Sequence, residues 1–485
     1  TALLELGASI SAISIQVNLK ALEVPVPLQI YKLVERSARY FGRLVIVVIV
    51  LCLFQIGMPN LSAQEKPSTG VQGQAPVMTL LQAVEEALRA NLEMKQSRKE
   101  IEAAGANKKA QRSNFFPTLN ATYQVVRNDE GVGGFAGGFT TLQDQVSLTT
   151  GFRQPIFSGF ALINQYKIAD LGLDVAKLNQ TLTRLEVIFL AKQSYFNVLK
   201  TKKLEEVSLD SVKLLEAQVE VARNFYEVGM TPLNDLLQTQ VELANTKQDL
   251  IVARNNLDVA ESQFNIVLRR MVNASVQLRD IQTYEPLKND LDFFLGLAEK
   301  NRLEIKVGNL QIQIAEKDLE ISRKDFYPTV SLEGFYFMRG SEWDLSGSEE
   351  FIDPDGWSIT GVATWDFWQW GKTAYGEREK RSRLSQARIG KEQTLDQIRL
   401  EVEQSYLRAR QSEKNIVTVE QAIQQAEENM RITEERYKEQ AATSTDILIA
   451  QNLLNRTRTN YYNALYDFKI AKAFLQKAVG LEILE

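Results

Sequence analysis

The side chains available for chemistry in this chain are carboxylates, lysines, tyrosines and serines, because histidine is absent and cysteine occurs once, at Cys52. Without imidazole there is no His-based triad and no His metal ligand. One thiol makes no internal disulfide, zinc knuckle or iron–sulfur cluster. The acids that stand out by position are Asp235 and Asp446, each just behind a short break between two long helical patterns. In the first turn of a helix an acid is favoured by the macrodipole by about 0.3–1 kcal/mol. The pattern offers no two acids converging on a pocket, as a carboxylate hydrolase requires, so the chain reads as a non-enzyme with no cofactor and no metal. Other acidic pairs, Glu205-Glu206 and Glu427-Glu428, read as solvated faces.

The elements that must position these acids are long. Of 485 residues only 11 are Pro, and none follows Pro354. From Gly159 to Val228 no Pro interrupts the pattern, which as a helix would run for about 105 Å at ~1.5 Å per residue. Helices of that length need partners side by side. The charge balance, 56 Lys+Arg against 61 Asp+Glu, leaves no basic patch with interleaved aromatics, so no nucleic-acid partner is expected.

Near the start, Leu44 to Phe54 are apolar throughout and follow Lys32, Arg36, Arg39 and Arg43. The run is too short to span a bilayer as a helix, which takes about 20 residues. It reads as a secretory signal cleaved after Ala63, so 1–63 is taken as an upstream segment with a signal peptide and 64–78 as a linker.

Laid on itself, the chain repeats at one offset. Phe115-Phe116-Pro117-Thr118 matches Phe326-Tyr327-Pro328-Thr329, and Gln193-Ser194-Tyr195 recurs as Gln404-Ser405-Tyr406. Leu236, Leu243, Leu250, Leu257 and Phe264 form a heptad row whose counterparts are Ile447, Leu454, Tyr461, Phe468 and Leu475. Mostly small residues follow each by three, which permits close approach in a left-handed supercoil. The predicted organisation is two repeats. The first, 79–289, has a helix pair, a β-hairpin at 115–158 and long helices at 159–229 and 232–271. The second, 290–485, has a helix pair, a β-hairpin at 326–370 and long helices at 371–439 and 444–480.

The hairpins alternate apolar and polar residues with period 2, marking strands with two unlike faces. Leu119, Ala121, Tyr123 and Val125 share one face of the first strand, and Trp357, Ile359, Ala363, Trp365 and Phe367 share one face of the last. All five Trp belong to the second hairpin. Trp357, Trp365, Trp368 and Trp370, at or near strand ends, fit an interfacial aromatic girdle in contact with outer-membrane lipid. A membrane barrel needs at least about eight strands, so four per chain cannot close one, whereas a trimer supplies twelve. The Gly-rich loop 131–138 and the acidic loop 342–355 lack the Lys-Ser/Thr of a phosphate cradle. The competing reading is a periplasmic coiled-coil scaffold without a pore, in which the strands are a small cap.

The motif Tyr226-x-x-Gly229-x5-Asp235-Leu236-Leu237-x-x-Gln240, with its second copy Tyr437…Asp446-Ile447-Leu448-x-x-Gln451, resembles the signature of TolC-type outer membrane efflux proteins. The resemblance covers about 78–482. It implies an α+β membrane protein in which duplicated coiled-coil helices form a periplasmic α-barrel and four strands per chain enter a 12-stranded trimeric transmembrane β-barrel. The implied function is a passive exit duct in the outer membrane of a Gram-negative bacterium, serving tripartite efflux or type I secretion. The implied partners are two further copies of the chain, a periplasmic adaptor (membrane fusion) protein and an inner-membrane pump of RND or ABC type. Carried over residue by residue, Asp446 and Asp235 fall at the periplasmic gate, and Gly229, Thr231, Pro232, Gln440 and Thr443 fall at the adaptor-docking helix tips. The chain departs from the pattern twice: Ile449 stands where a second gate acid is expected, and Gln440 where the turn usually has Gly, which demands a left-handed non-glycine residue or another turn.

Overall fold

The computed structural model describes residues 77–129, 144–346, 351 and 353–483. The signal segment, the Gly-rich loop and part of the acidic loop lie outside them. In chain order the described elements are α1 (Leu80–Ala90), α2 (Leu92–Ser113), β1 (Thr118–Arg127), β2 (Asp144–Ser158), α3 (Ala161–Glu227), α4 (Leu233–Val267), α5 (Leu291–Asn301), α6 (Leu303–Ser322), β3 (Thr329–Gly340), β4 (Asp355–Thr364), α7 (Lys372–Lys438) and α8 (Ser444–Ala478). The two repeats are in register to the residue. α3 and α7 begin at 161 and 372, α4 and α8 at 233 and 444, and β1 and β3 at 118 and 329, all 211 apart. Both α3 and α7 are 67 residues long, and both α4 and α8 are 35.

Local chemistry sets several of the helix starts. Thr79 and Gln82 form a capping box at α1, Asn91 accepts from the Glu93 amide at α2, and Asp290 accepts from the Phe293 amide at α5. Each satisfies N–H groups that a helix start leaves without intrahelical partners. The two heptad rows are the core. Leu236, Leu250 and Phe264 are buried in the first repeat, and Ile447, Leu454, Phe468 and Leu475 in the second. The small row that follows is buried as well, at Thr239, Thr246, Ala260, Ala450, Ala464 and Ala478. α3 packs along α2, α4, α6 and α8, and α7 along α6 and α8. Burying these rows supplies the hydrophobic gain that so much exposed helix otherwise lacks. Arg302 locks one corner: nearly buried, it donates to the Ala478 carbonyl at 3.0 Å, a cation at the C-terminus of α8, and pairs with Glu401 at 2.7 Å. Among the described residues no helix is long and apolar enough to cross a membrane.

The four strands form one sheet in the order β1-β2-β3-β4. Two compact units are distinguished. One contains the strand segments 122–149 and 337–356 with their loops; the other contains the remaining strand segments and all the helices. In the helical unit Thr118 Oγ1 donates to the Arg153 carbonyl across β1–β2, Arg153 pairs with Glu333 at 3.1 Å across β2–β3, and Thr329 Oγ1 donates to the Thr364 carbonyl across β3–β4. The Phe152 ring lies against Gly334, where a Cβ would come within 2.3 Å of it. In the other unit Phe337 covers Gly356 in the same way, and the Tyr123 hydroxyl donates to the Trp343 carbonyl. An aromatic ring laid over a cross-strand glycine covers bare backbone and lets the sheet bend.

Candidate functional sites at the helix tips and strand–helix junctions

The sequence-predicted site residues fall into two groups, one at the α3–α4 and α7–α8 turns and one at the ends of β4. At the first turn the Gly229 amide donates to Tyr226 O at 3.0 Å and the Met230 amide to Phe225 O at 2.8 Å. At the second, Gln440 donates to Tyr437 O at 3.0 Å and Ala441 to Arg436 O at 2.7 Å. The bonds are equivalent, and both closing residues have positive φ, 75° for Gly229 and 60° for Gln440. This is the left-handed ending that Gly adopts freely and other residues adopt at a cost. Of the two routes open to the second tip, the chain uses the left-handed non-glycine residue. The Gln440 side chain reaches across to Met230 Sδ at 3.5 Å.

The following helix starts differ. α8 opens with a full capping box: Asp446 accepts from the Thr443 amide at 2.9 Å and the Thr443 hydroxyl at 2.8 Å, and its own amide donates to Thr443 Oγ1 at 3.2 Å. These bonds, with the positive charge of Arg436, hold the exposed Asp446 carboxyl below the usual aspartate range. α4 has Pro232 at the position equivalent to Thr443. Pro232 is the cap itself, one residue before the first helical position, and offers no side-chain bond. Asp235 is half-buried, and Thr239 Oγ1 donates to its carbonyl at 2.8 Å. Thr231 is half-buried beside it.

Tyr437 is where sequence reasoning fell short. Its repeat partner Tyr226 is 40% exposed, whereas Tyr437 is 3% exposed. It packs on Phe225 with ring centroids 5.5 Å apart and lines a cavity of about 60 Å³ with Gln218, Ile447 and Gln451. Burial raises the Tyr437 phenol, and the charge of Asp235 raises it further. Asp235, on the other tip, is thus near enough for its charge to act on Tyr437. Gln218 and Gln451 join that environment, with Gln451 Nε2 donating to Ser211 O at 3.2 Å. Gln218 is invisible to a motif search, because nothing in its spacing sets it apart from other helical glutamines. Ile449 is exposed beside Leu237 and Val241, so an aliphatic side chain holds the place of the expected second acid.

In the second group Trp357 lies at the start of β4, and Trp365, Trp368 and Trp370 follow its end at Thr364. All four are exposed. Trp357 and Trp365 share one face, separated by eight residues, about 26 Å along the chain at ~3.3 Å per residue, which at the ~40° tilt of a barrel strand rises about 20 Å, most of the ~25 Å apolar band of such a barrel. The opposite face of the sheet carries the Arg153–Glu333 pair.

Comparison with known proteins agrees with this architecture. A family model described as outer membrane efflux protein matches residues 83–268 and again 294–481. The outer membrane efflux protein BepC of Brucella suis is 20% identical over 416 residues, spanning 85% of this chain and 88% of its own length. The outer membrane protein TolC of Escherichia coli is 22% identical over 434 residues, spanning 85% and 84%. The Campylobacter jejuni CmeC outer membrane channel superimposes with a TM-score of 0.73 at 16% identity, covering 87% of this chain and 94% of that one. The open state of the Neisseria gonorrhoeae MtrE outer membrane channel does so with 0.67 at 16% identity, covering 88% and 97%. With more than half of the chain matched by the family model, and matched twice at the internal repeat, the chain belongs to the outer membrane efflux protein family, TolC-type channels of the Gram-negative outer membrane with a large periplasmic helical part.

Proposed function

We propose that three copies of this chain assemble into one exit duct that opens at the α3–α4 and α7–α8 tips when a periplasmic adaptor and an inner-membrane pump of RND or ABC type engage it. The observation that carries the reading is the sheet. Its four strands end in two edges, β1 and β4, and an unpaired edge in a hydrocarbon core leaves backbone groups unsatisfied at several kcal/mol each. Pairing β4 of one copy with β1 of the next removes every edge, and three copies give twelve strands. Asp446 and Asp235, with Tyr437 beside Asp235, are the gate residues in this reading, and Gly229, Thr231, Pro232, Gln440 and Thr443 shape the tips that receive the adaptor. Trp357, Trp365, Trp368 and Trp370 sit at the two membrane interfaces.

A cysteine pair placed on β1 and β4 tests the assembly. Ladder formation that stops at trimer, together with conductance steps in planar bilayers, supports the duct. Release by carbonate washing with no heat-resistant trimer would instead favour a periplasmic scaffold.

A further inference from the structure

Each strand-to-helix junction spends backbone strain on an exposed aromatic residue. At the β2–α3 junction Gly159 and Phe160 are both left-handed, with φ of 59° and 65°; at β4–α7 Trp370 and Gly371 are, with φ of 51° and 84°. The order of glycine and aromatic is reversed between repeats, yet both junctions keep one aromatic where a glycine would be free of strain. Gly159 has its own reason to be glycine, because a Cβ there would lie 2.4 Å from the Lys324 carbonyl oxygen. Phe160 is held within the chain, edge-on to Phe157 and Tyr327 with centroids 5.2 and 5.4 Å away, so the strain left to explain is that of Trp370. Phe160 is 52% exposed and Trp370 is 86% exposed. Strain held at a solvent-facing position points to a function outside the chain's own core.

The helix that follows Trp370 is basic at its start. Between 372 and 383 there are five basic residues, Lys372, Arg378, Lys380, Arg381 and Arg383, and two acidic ones. Both acids are spent on cations: Glu377 pairs with Arg323 and Arg381, and Glu379 with Arg383. Lys372, Arg378 and Lys380 make no ion pair among the described residues, and Arg378 stacks over the Tyr375 ring at 5.8 Å. Trp368 and Trp370 form an edge-on pair with centroids 5.7 Å apart just before them. Lys372 and Arg378 lie about 9 Å apart along the helix, within reach of one headgroup layer for side chains that can snorkel.

We propose that this junction is a binding site for anionic phospholipid in the periplasmic leaflet, with Trp368 and Trp370 at the glycerol level and Lys372 and Arg378, both on the exposed side of α7, on the phosphates. The occupant follows from charge complementarity and from direct continuity with the membrane-spanning sheet, on which the inference rests. Zwitterionic headgroups satisfy the aromatic part but leave the two cations without net countercharge.

The test uses the purified trimer in vesicles of phosphatidylcholine alone and of phosphatidylcholine mixed with phosphatidylglycerol, reading retained lipid by native mass spectrometry. The wild type is expected to retain phosphatidylglycerol with about a tenfold preference that falls away in high salt. The double variant Lys372→Gln/Arg378→Gln is expected to lose the preference, its trimer yield in phosphatidylcholine serving as the folding control. Trp370→Gly separates a lipid role from a structural one. Relief of strain should raise its melting temperature in detergent while its retention in bilayers falls. No preference in the wild type, or an unchanged one in the double variant, would overturn the proposal. Failure to insert in either vesicle would overturn the membrane reading beneath it as well.

Discussion

Gly229 and Gln440 occupy the same place in two copies of one turn, with the same pair of backbone hydrogen bonds and φ of 75° and 60°. The second repeat therefore holds a non-glycine residue in a conformation that glycine adopts freely, costing roughly 1–2 kcal/mol. The replacement Gln440→Gly is expected to stabilise the tip by about 1 kcal/mol, less the weak contact with Met230, and Gly229→Gln to destabilise it by a similar amount. Proteolytic sensitivity of the tip and the apparent melting temperature of the trimer check the signs. Equal effects of the same sign would contradict the equivalence of the two turns.

The Asp446 carboxylate is held by the Thr443 amide and hydroxyl, and its folded-state pKa is depressed by them. Its contribution is therefore present above the unfolded aspartate value and is lost as pH falls through the lower folded value, so it is intact at neutral pH. Replacement by Asn is expected to remove the negative ring at the tip, raising conductance or weakening block by multivalent cations in planar bilayers. Thr443→Ala should loosen α8 by about 1 kcal/mol without changing the charge. If Asp446→Asn and Thr443→Ala alter conductance alike, Asp446 acts through the cap alone.

Two lysines are buried in the helical unit. Burial pushes Lys192 down to about 8, aided by the charge of Lys472, and burial likewise pushes Lys469 down to about 8 against the opposing charge of Asp280. Between those values and the ordinary 10.5 the unfolded chain binds more protons than the folded one, so stability rises as pH rises through that window and the penalty is complete below it. Lys192→Met is expected to stabilise the fold at neutral pH by up to about 3 kcal/mol, offset by the lost bond to Gln476 at 3.2 Å. It should also flatten the pH dependence of denaturant unfolding between pH 8 and 10.5. An unchanged slope would mean that Lys192 stays charged in the fold.

Gly361 lies between Trp357 and Trp365 on their face of β4, and a Cβ there meets nothing within 4 Å. Gly361→Arg is therefore sterically silent within the chain, and its cost measures lipid exposure. About 2–4 kcal/mol is expected near the bilayer midplane, read as lost heat-resistant trimer. Thr360→Arg, exposed on the opposite face, is expected to assemble normally. Equal tolerance of both variants would remove the lipid-facing assignment.

Much of the fold is legible in the residues themselves, because its main features are periodic. The heptad rows from Leu236 and Ile447 declare which face of each helix is buried, and alternation along β4 declares two unlike sheet faces. The exact 211-residue spacing of equivalent elements follows from the matched aromatic-Pro and Gln-Ser-Tyr segments. Helix ends are less legible. α4 stops at Val267 rather than 271, because Arg269 closes it with a φ of 59° where its counterpart, Gly480, does the same at 74°. Nothing local marks an arginine for that conformation.

By itself the sequence determined a duplicated chain of long helices and two-faced strands, since those depend on short-range periodicity and on where Pro and Gly fall. How the two copies diverge was decided partly by one local exchange and otherwise only by the tertiary structure. Tyr437 is buried against Phe225 and near Asp235 while Tyr226 stays in solvent, and Asp446 is tied into a capping box while Asp235, behind Pro232, is not. The cap follows from Pro232 standing where the second repeat has Thr443, a difference along the chain; the burial of Tyr437 follows from neighbours across the chain, which no local motif encodes, and its pKa responds to them.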